Sequence, residues 1–260
     1  MDILVCVKRV PDTSTNEIEV NDAGTDIERD DLVYSINEWD NYAVEEALQI
    51  VDRVGGSVTV AAVGDDESDE VLRRAMAMGV ENAMLLSGDA FAGLDGRGVA
   101  TVLQAAAKTK GIDLILTGAQ ADDGCAQVGG MLAAMLDQPF ASLVNMIEVE
   151  SDKTLKIGRE VEGGEQEISR IELPCVLSIQ TGINEPRYVG VRGIRKVASV
   201  EIPTMDAAAL GLTAEALAPQ VERLDYFTPE VGAGAEMLEG STEEMVAKLI
   251  EMLQAKGGMK

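Results

Sequence analysis

The feature that most constrains the fold of this chain is a regular alternation of short apolar runs with amphipathic runs. The apolar runs are Asp2–Val7, Ser57–Val63, Asn82–Leu86 and Ile112–Leu116, and the amphipathic runs are Asp40–Val54, Ser68–Met78, Gly98–Lys110 and Ala126–Leu136. Strand-length runs that alternate with helix-period runs and are joined by short turns predict an α/β protein with a doubly wound, mostly parallel sheet. Because 46% of the residues are hydrophobic and only 3% are aromatic, we expect a core of small aliphatic side chains.

The rest of the chain carries a different pattern. Apolar and polar residues alternate over 140–148, 154–159, 166–172 and 174–180, which we interpret as antiparallel strands that return to the sheet. Near the N-terminus we expect a turn over Lys8–Asp12, where Pro11 blocks continuation of the strand, and irregular chain over Thr13–Val33.

These patterns predict a nucleotide-binding α/β domain over 1–183, a recognition loop over 184–200 and a C-terminal arm over 201–260. The arm holds 11 acidic and 4 basic residues, and its one convincing helix is Ser241–Lys256, capped by Ser241 or Thr242. Such a segment cannot build a core of its own. We therefore expect the arm to lie on another subunit.

The charge balance excludes some partners. With a net charge of −25 and a pI of about 4.2, the chain is a poor match for nucleic acids and anionic membranes. No apolar stretch approaches the ~20 residues that a membrane span needs, so no membrane insertion is expected. The first strand begins at Asp2, so we expect no signal peptide, and the cysteines are odd in number and widely spaced. These features predict a reducing, cytoplasmic location.

The segment Gly111–Gln138 has the pattern of a nucleotide site. A buried strand ends at Thr117 and Gly118, and a polar loop leads into a helix whose first turn is expected to hold Gly124, Gln127 and Gly129. Free N–H groups at a helix start, beside small residues, bind anions such as a nucleotide's phosphates. The loops at Lys8 and Gly64 should lie at the same end of the sheet and converge on one ligand.

Two further observations bound the chemistry of that site. The chain contains no histidine, so the usual general base is absent and we expect no catalytic residues. Asp122 and Asp123 lack a nearby histidine or further carboxylates at ligand spacing, so we predict no metal site. The site is therefore expected to hold a nucleotide rather than to react with it.

Two other segments allow more than one interpretation. Asn37 and Asp40 precede a helix and either cap it or contact a nucleotide at the strand ends, beside the only tryptophan, Trp39. The segment Asn184–Lys196 carries four basic residues in a strongly acidic chain, and it is either a solvated loop or a docking loop with Val191 at its middle.

Together these segments resemble the small, or β, subunit of an electron transfer flavoprotein. The similarity rests on six ordered motifs, which are VKRVPD at 7–12, NEWDNYAVEEA at 37–47, RRAMAMG at 73–79, GAQADDGCAQVG at 118–129, REVEGGEQE at 159–167 and GINEPRYVGVRGIRK at 182–196. Ordered motifs that span about 190 residues are far more specific than any single glycine loop.

The resemblance implies an electron-carrier subunit, not an enzyme, that pairs with a larger α subunit in a heterodimer. FAD would lie mainly on the α subunit at the interface, near the turn at Val10–Thr13, and this subunit would hold AMP. The implied AMP ligands are Cys6, Asn37, Glu38, Trp39, Asp40, Val63, Asp122, Asp123, Gly124, Cys125, Ala126, Gln127, Val128, Gly129, Gly130 and Met131.

The resemblance also implies that an acyl-CoA or amine-type dehydrogenase docks on the recognition loop. The implied contact residues are Asn184, Glu185, Pro186, Arg187, Tyr188, Val191, Arg192, Arg195 and Lys196. Val191 stands where the family usually carries leucine.

Two alternatives remain open at this point. In a bifurcating member a second FAD would replace AMP, and NADH would be the electron donor. Such members tend to carry proline where this chain has Glu38 and a loop one residue longer than QADDG, so both features favour AMP. The other alternative is a nucleotide-binding signalling domain that needs no α partner.

Overall fold

The computed structural model describes residues 1–109, 111–230, 232 and 234–258. It divides into two units, one of Met1–Ile18 with Arg29–Leu224 and the other of Glu19–Glu28 with Asp225–Lys260. Among the described residues, no helix has both the length and the apolar character needed to cross a bilayer.

The described chain contains eleven strands and seven α-helices. The strands are β1 Asp2–Val7, β2 Arg9–Pro11, β3 Tyr34–Ile36, β4 Ser57–Val63, β5 Asn82–Leu86, β6 Leu114–Gly118, β7 Phe140–Val149, β8 Thr154–Val161, β9 Glu165–Glu172, β10 Cys175–Ile179 and β11 Thr204–Met205. The helices are α1 Glu38–Val54, α2 Asp69–Met78, α3 Gly96–Lys108, α4 Val128–Leu136, α5 Val191–Val197, α6 Ala214–Leu217 and α7 Thr242–Ala255.

The main sheet confirms the predicted α/β fold. Its nine strands run in the order β11-β5-β4-β1-β6-β10-β7-β8-β9, and its antiparallel pairs are β7 with β8 and β8 with β9. Chain order reverses at β1, since β4 lies on one side of it and β6 on the other. Ligands of doubly wound sheets bind at such a reversal, beyond the carboxyl ends of the strands.

One of the expected antiparallel strands is parallel instead. The prediction for 174–180 is wrong, because β10 pairs parallel with both β6 and β7, whereas β7 itself pairs antiparallel with β8 as expected. Every residue of β10, Cys175–Ile179, is buried. A continuous buried run is typical of a parallel strand covered on both faces, so the reason lies in the burial of this segment.

Two helix layers cover the sheet, one on each face. Side chains of β1 alternate between them, so that Ile3 and Val5 pack with α1 and α2 while Leu4 and Cys6 pack with α3 and α4. Full burial of one such aliphatic side chain contributes ~1.5–3 kcal/mol. The two faces of β1 therefore fix which helices cover each face of the sheet where the strand order reverses.

Several short elements lie where turns or loops were expected. Residues 8–12 do not form only a turn, because β2 pairs antiparallel with β3, and the Arg9 guanidinium lies 3.7 Å from the centroid of the Tyr34 ring. Pro11 ends β2, a position that needs no ladder N–H. Residues 191–197 form helix α5 within the expected recognition loop.

Some helix and strand ends differ from the predicted ones. Helix α1 begins at Glu38, so Asp40 lies inside its first turn, and α4 begins at Val128 instead of Ala126. Gly124 therefore lies in the loop before α4, not in its first turn. Strand β6 begins at Leu114 instead of Ile112. The predicted end of the third helix at Lys110 lies outside the described residues.

The arm begins later than predicted. Residues 201–224 belong to the main unit, where β11 pairs with β5 and Leu217 of α6 is buried. In the second unit the Tyr226 N–H donates to Gly24 O at 2.8 Å, and Ser241 and Glu244 form a reciprocal capping box at the start of α7. None of the residues of α7, all of which the structure describes, is buried.

Candidate functional site

A cavity of about 810 Å³ lies at the carboxyl ends of β1, β4 and β6. Its wall is apolar at Cys6, Ala61, Val63 and Leu103, and polar or charged where the loops after the strands reach it. The volume lies within the ~300–1,000 Å³ range of small-molecule sites. The loop that contains Gly118 reaches the cavity as expected, and so does Lys8, whereas Gly64 does not line it.

The structure brings most of the sequence-predicted nucleotide residues to this cavity. Those that line it are Cys6, Asn37, Asp40, Val63, Asp123, Gly124, Cys125, Ala126, Gln127, Val128 and Gly129. Glu38, Trp39, Asp122, Gly130 and Met131 do not line it. Trp39 instead donates from Nε1 to Gln180 Oε1 at 2.9 Å.

Sequence reasoning missed two stretches of the wall. The first is Gly93–Gly96, which leads into α3, and the second is Pro219–Arg223, which comes far later in the chain. Asp95 joins them, because its Oδ1 accepts from Gly98 N at 2.8 Å and its Oδ2 accepts from Gln220 N at 2.6 Å. These bonds hold the pKa of Asp95 below its usual value. A helix-capping aspartate followed by a glycine was the available signal in the sequence.

The Asp40 carboxylate ties two strand ends together. Its Oδ2 accepts the N–H of Lys8 after β1 at 2.8 Å, and its Oδ1 accepts the N–H of Gly118 at the end of β6 at 2.9 Å. Burial raises the pKa of Asp40 to about 7, against hydrogen bonds from Asn37, Lys8 and Gly118 that lower it. Both oxygens already serve the backbone, so Asp40 shapes the cavity.

Asn37 contributes an unused hydrogen-bond acceptor to the wall of the cavity. It is 1% exposed, and its Nδ2 donates to Gln120 O at 2.8 Å. Its Oδ1 is buried and has no hydrogen-bond partner among the described residues. An unpaired buried acceptor costs roughly 1–3 kcal/mol, and a ligand donor would remove that cost.

Helix α4 opens at the cavity with features of an anion site. The N–H groups of its first turn have no partner within the helix, and Ala126 just before it has φ of 55°, a left-handed conformation that is costly outside glycine. A Cβ on Gly129 would overlap Ser178 Oγ and lie 2.8 Å from Thr117 Oγ1. Gly129 therefore lets α4 approach the sheet closely, and a larger residue at this position would disturb the packing of α4 on the sheet.

Charged groups close part of the cavity's edge. Lys8 Nζ lies 2.6 Å from Asp123 Oδ1, with both side chains 44% exposed, and Asp122 accepts from Thr13 Oγ1 at 3.4 Å. Among the described residues, no group of three His, Cys, Asp or Glu side chains is placed to hold a metal ion.

The cysteines differ in setting, since Cys6 and Cys175 are buried and Cys125 is exposed. Burial raises the pKa of both buried thiols, that of Cys175 to about 12.

The residues predicted to bind a dehydrogenase lie outside the cavity, in two roles. Asn184 and Arg187 face α1, where they contact Glu46 and Glu45. Tyr188, just before α5, is 92% exposed. Within α5, Val191 is 65% exposed and Ile194 is 50% exposed. The other predicted residues are Glu185, Pro186, Arg192, Arg195 and Lys196, of which all except the half-buried Pro186 are exposed. Arg187 is therefore not the free surface charge that the sequence suggested.

Comparison with known proteins assigns the chain to a family. A family model described as the electron transfer flavoprotein domain matches residues 25–210. The electron transfer flavoprotein subunit beta of Methylophilus methylotrophus is 35% identical over 260 residues, which cover 97% of this chain and 98% of that protein. The corresponding subunit of Bacillus subtilis is 32% identical over 258 residues, 98% of each chain.

A subunit of a reductase complex matches equally well. The caffeyl-CoA reductase-Etf complex subunit CarD of Acetobacterium woodii is 36% identical over 263 residues, which cover 98% of this chain and 99% of that protein. These three relatives each align with at least 97% of this chain, which is more than the family model covers. The chain therefore belongs to the electron transfer flavoprotein family, among its β subunits, and its relatives are electron carriers.

Proposed function

We propose that this protein is the β subunit of a heterodimeric electron transfer flavoprotein and holds AMP in the cavity at the ends of β1, β4 and β6. FAD, mainly on the α subunit, would accept electrons from a dehydrogenase and pass them on. One observation carries the proposal. The wall of a single cavity contains both a buried acceptor without a partner, Asn37 Oδ1, and the first turn of α4 with its free N–H groups. We also propose that the protein is cytoplasmic.

The chemistry of the cavity wall suits the parts of a nucleotide. The apolar side, with Ala61, Val63 and Leu103, suits a purine ring, and Asn37 Oδ1 suits an amino or hydroxyl donor. The N–H groups at the start of α4 suit a phosphate, and Lys8 supplies a nearby cation. These groups bind and orient the ligand. The chain contains no histidine, the usual general base, which fits a nucleotide that is held and not transformed.

The second candidate is a bifurcating subunit with FAD in this cavity and NADH as the electron donor. The cavity's size favours it, since about 810 Å³ lies toward the upper end of the usual range for ligand sites. The relative named as part of a caffeyl-CoA reductase complex is consistent with such a role. Glu38 and the short QADDG loop favour AMP.

Nucleotide analysis of the purified heterodimer separates the two candidates. The complex is denatured, and the released nucleotides are identified by chromatography and mass spectrometry and counted per heterodimer. We expect equal amounts of FAD and AMP. Two equivalents of FAD without AMP would establish the second candidate. Purification of the chain with a nucleotide but without an α subunit would contradict both and support a signalling domain.

The proposal also assigns residues 184–200, here called the docking segment, to contact with an acyl-CoA or amine-type dehydrogenase. Tyr188, Val191 and Ile194 present apolar surface, and Arg192, Arg195 and Lys196 surround it with positive charge. An apolar centre within a charged rim is a usual division of roles in small transient interfaces, where the rim steers encounter.

A further inference from the structure

An arginine–carboxylate pair fixes the start of the docking segment to α1. Arg187 Nε donates to Glu45 Oε2 at 2.8 Å and Nη2 to Glu45 Oε1 at 3.1 Å, while Arg187 N donates to Oε2 at 3.1 Å. The Glu45 side chain is only 5% exposed. Its burial acts to raise its pKa, but the bonds from Arg187 and Gln49 outweigh burial and hold that pKa below the usual value. Glu45 is therefore a charged anchor for the segment.

A second arginine holds the other end of the segment to α2. Arg73 Nη1 donates to the carbonyls of Val197 at 2.6 Å and Val200 at 3.0 Å, and Asp69 holds Arg73 at 2.5 Å. These carbonyls lie at the C-terminal end of α5, where a cation also complements the helix dipole. Arg73 is thus both a cap and a tether.

Little else stabilises α5 between these two tethers. The helix has seven residues, of which only Val197 is buried. Gly193 lies so close to α2 that a Cβ on it would be 3.1 Å from Ala77 O. Isolated helices of this length do not form in water, because nucleation costs more than so few hydrogen bonds return. The tethers must therefore supply much of the stability of α5.

We infer that Arg187 and Arg73 are positioning residues whose clamps on α1 and α2 preorganise Tyr188, Val191 and Ile194 as one apolar docking face. The inference rests on the proposed docking function. A segment that is already ordered loses less conformational entropy on binding than a mobile one, so the clamps favour association with the dehydrogenase. Arg187 acts through Glu45, not by touching the partner.

Hydrogen–deuterium exchange on the purified heterodimer tests the clamps without a dehydrogenase. We expect Arg187→Gln and Arg73→Gln each to speed exchange of the amides of 193–200 at least tenfold, with FAD absorbance unchanged. The melting temperature should stay unchanged in Arg73→Gln and fall in Arg187→Gln, which leaves the buried Glu45 charge without its partner. The matched control is Arg170→Gln, because Arg170 makes a similar two-pronged contact with Glu150, at 2.6 and 2.8 Å, on the distant strand β9. This control should leave exchange in 193–200 unchanged.

A double variant separates the clamp from general loss of packing. Arg187→Gln leaves the buried Glu45 charge uncompensated, so adding Glu45→Gln should slow exchange again by restoring a neutral amide pair. If Arg187→Gln does not fold, Arg73→Gln carries the test alone. Unchanged exchange in Arg73→Gln, or equal acceleration in Arg170→Gln, would overturn the inference.

A kinetic readout then connects the clamps to docking. The wild-type heterodimer is reduced by an acyl-CoA or amine dehydrogenase that uses it as electron acceptor. We expect the clamp variants to raise the apparent KM for the flavoprotein several-fold and to leave kcat and dithionite reduction unchanged. Faster exchange with an unchanged KM would overturn the docking role of the segment, whereas unchanged exchange would overturn the clamps themselves.

Discussion

At the scale of single residues, the first turn of α4 contains two adjacent glycines with opposite surroundings. A Cβ on Gly129 would overlap Ser178 Oγ, whereas one on Gly130 would lie 3.4 Å from Phe140, an ordinary contact. We expect Gly129→Ala to destabilise the protein by ~1–3 kcal/mol through overpacking. We expect Gly130→Ala to be neutral or to stabilise it by up to ~1 kcal/mol through helix propensity.

Urea denaturation of the two alanine variants measures this difference directly. The pair serves as its own control, because the substitutions are identical and lie in the same turn. Equal free energies of unfolding would mean that α4 shifts away from the sheet at no cost, and the close approach at Gly129 would then have no structural importance.

Asp40 should make stability depend on pH. Burial raises its pKa from 3.8 to about 7, so the folded protein retains a proton that the unfolded chain releases. The stability that this raised pKa contributes is fully present below about pH 4 and is lost as pH rises to about 7. Relative to Asp40→Asn, the wild-type free energy of unfolding should fall across that window by at most ~1.4 kcal/mol per pH unit, then stay level.

Denaturation of both proteins between about pH 4 and pH 8 checks this expectation. The nearby ionisable groups, Lys8 and Cys6, are present in both and cancel in the difference. A difference that does not change with pH would mean that the backbone N–H groups of Lys8 and Gly118 fully offset the burial of the charge.

At the scale of secondary-structure elements, α5 allows a test of docking by one exposed apolar side chain. Val191→Ala removes part of the proposed apolar face, so reduction by the dehydrogenase should slow about tenfold, equivalent to ~1.4 kcal/mol. Val54→Ala is the control, since Val54 is also exposed, by 47%, but lies at the end of α1. An unchanged rate for Val191→Ala would indicate a solvated loop.

The elements that sequence reasoning missed share a physical cause. Strands β2 and β3 have three residues each and are held by pairing with each other and by Arg9 against Tyr34. Helix α5 depends on Arg73 and Arg187 from distant parts of the chain. Such elements have no periodic signal of their own, because tertiary contacts decide their conformation. The longer runs, such as Ser57–Val63, were predictable because local periodicity and burial agree there.

At the scale of the whole molecule, the residues alone predicted the candidate site near the glycine loop, and the family resemblance predicted further parts of it. Cys6, Asn37 and Val63 followed from the family resemblance and line the cavity. Pro219–Arg223 could not be foreseen, since Asp95, more than a hundred residues earlier in the chain, accepts hydrogen bonds from this stretch at Gln220 N and Val221 N. A cavity wall built from segments so far apart in the sequence has no local sequence motif.

The second unit should be protected by the α subunit. Its apolar side chains are exposed, with Phe227 at 75%, Met237 at 81% and Val246 at 50%. We expect chymotrypsin to cut within 225–258 rapidly in the chain alone and slowly in the heterodimer. Mass spectrometry locates the cuts, and the rate at Phe140 in β7 controls for protease activity. Equal rates within 225–258 in both states would contradict a contact between this unit and the α subunit.

The two edges of the main sheet limit how any partner can attach. At one edge β11 has only two residues, and at the other β9 carries Glu165, Glu167, Arg170 and Glu172 beside Ile168 and Ile171. Short or charged edge strands are poor templates for a further strand. We therefore expect partners to bind side chains and helix surfaces of the main unit rather than to add a strand at either edge of this sheet.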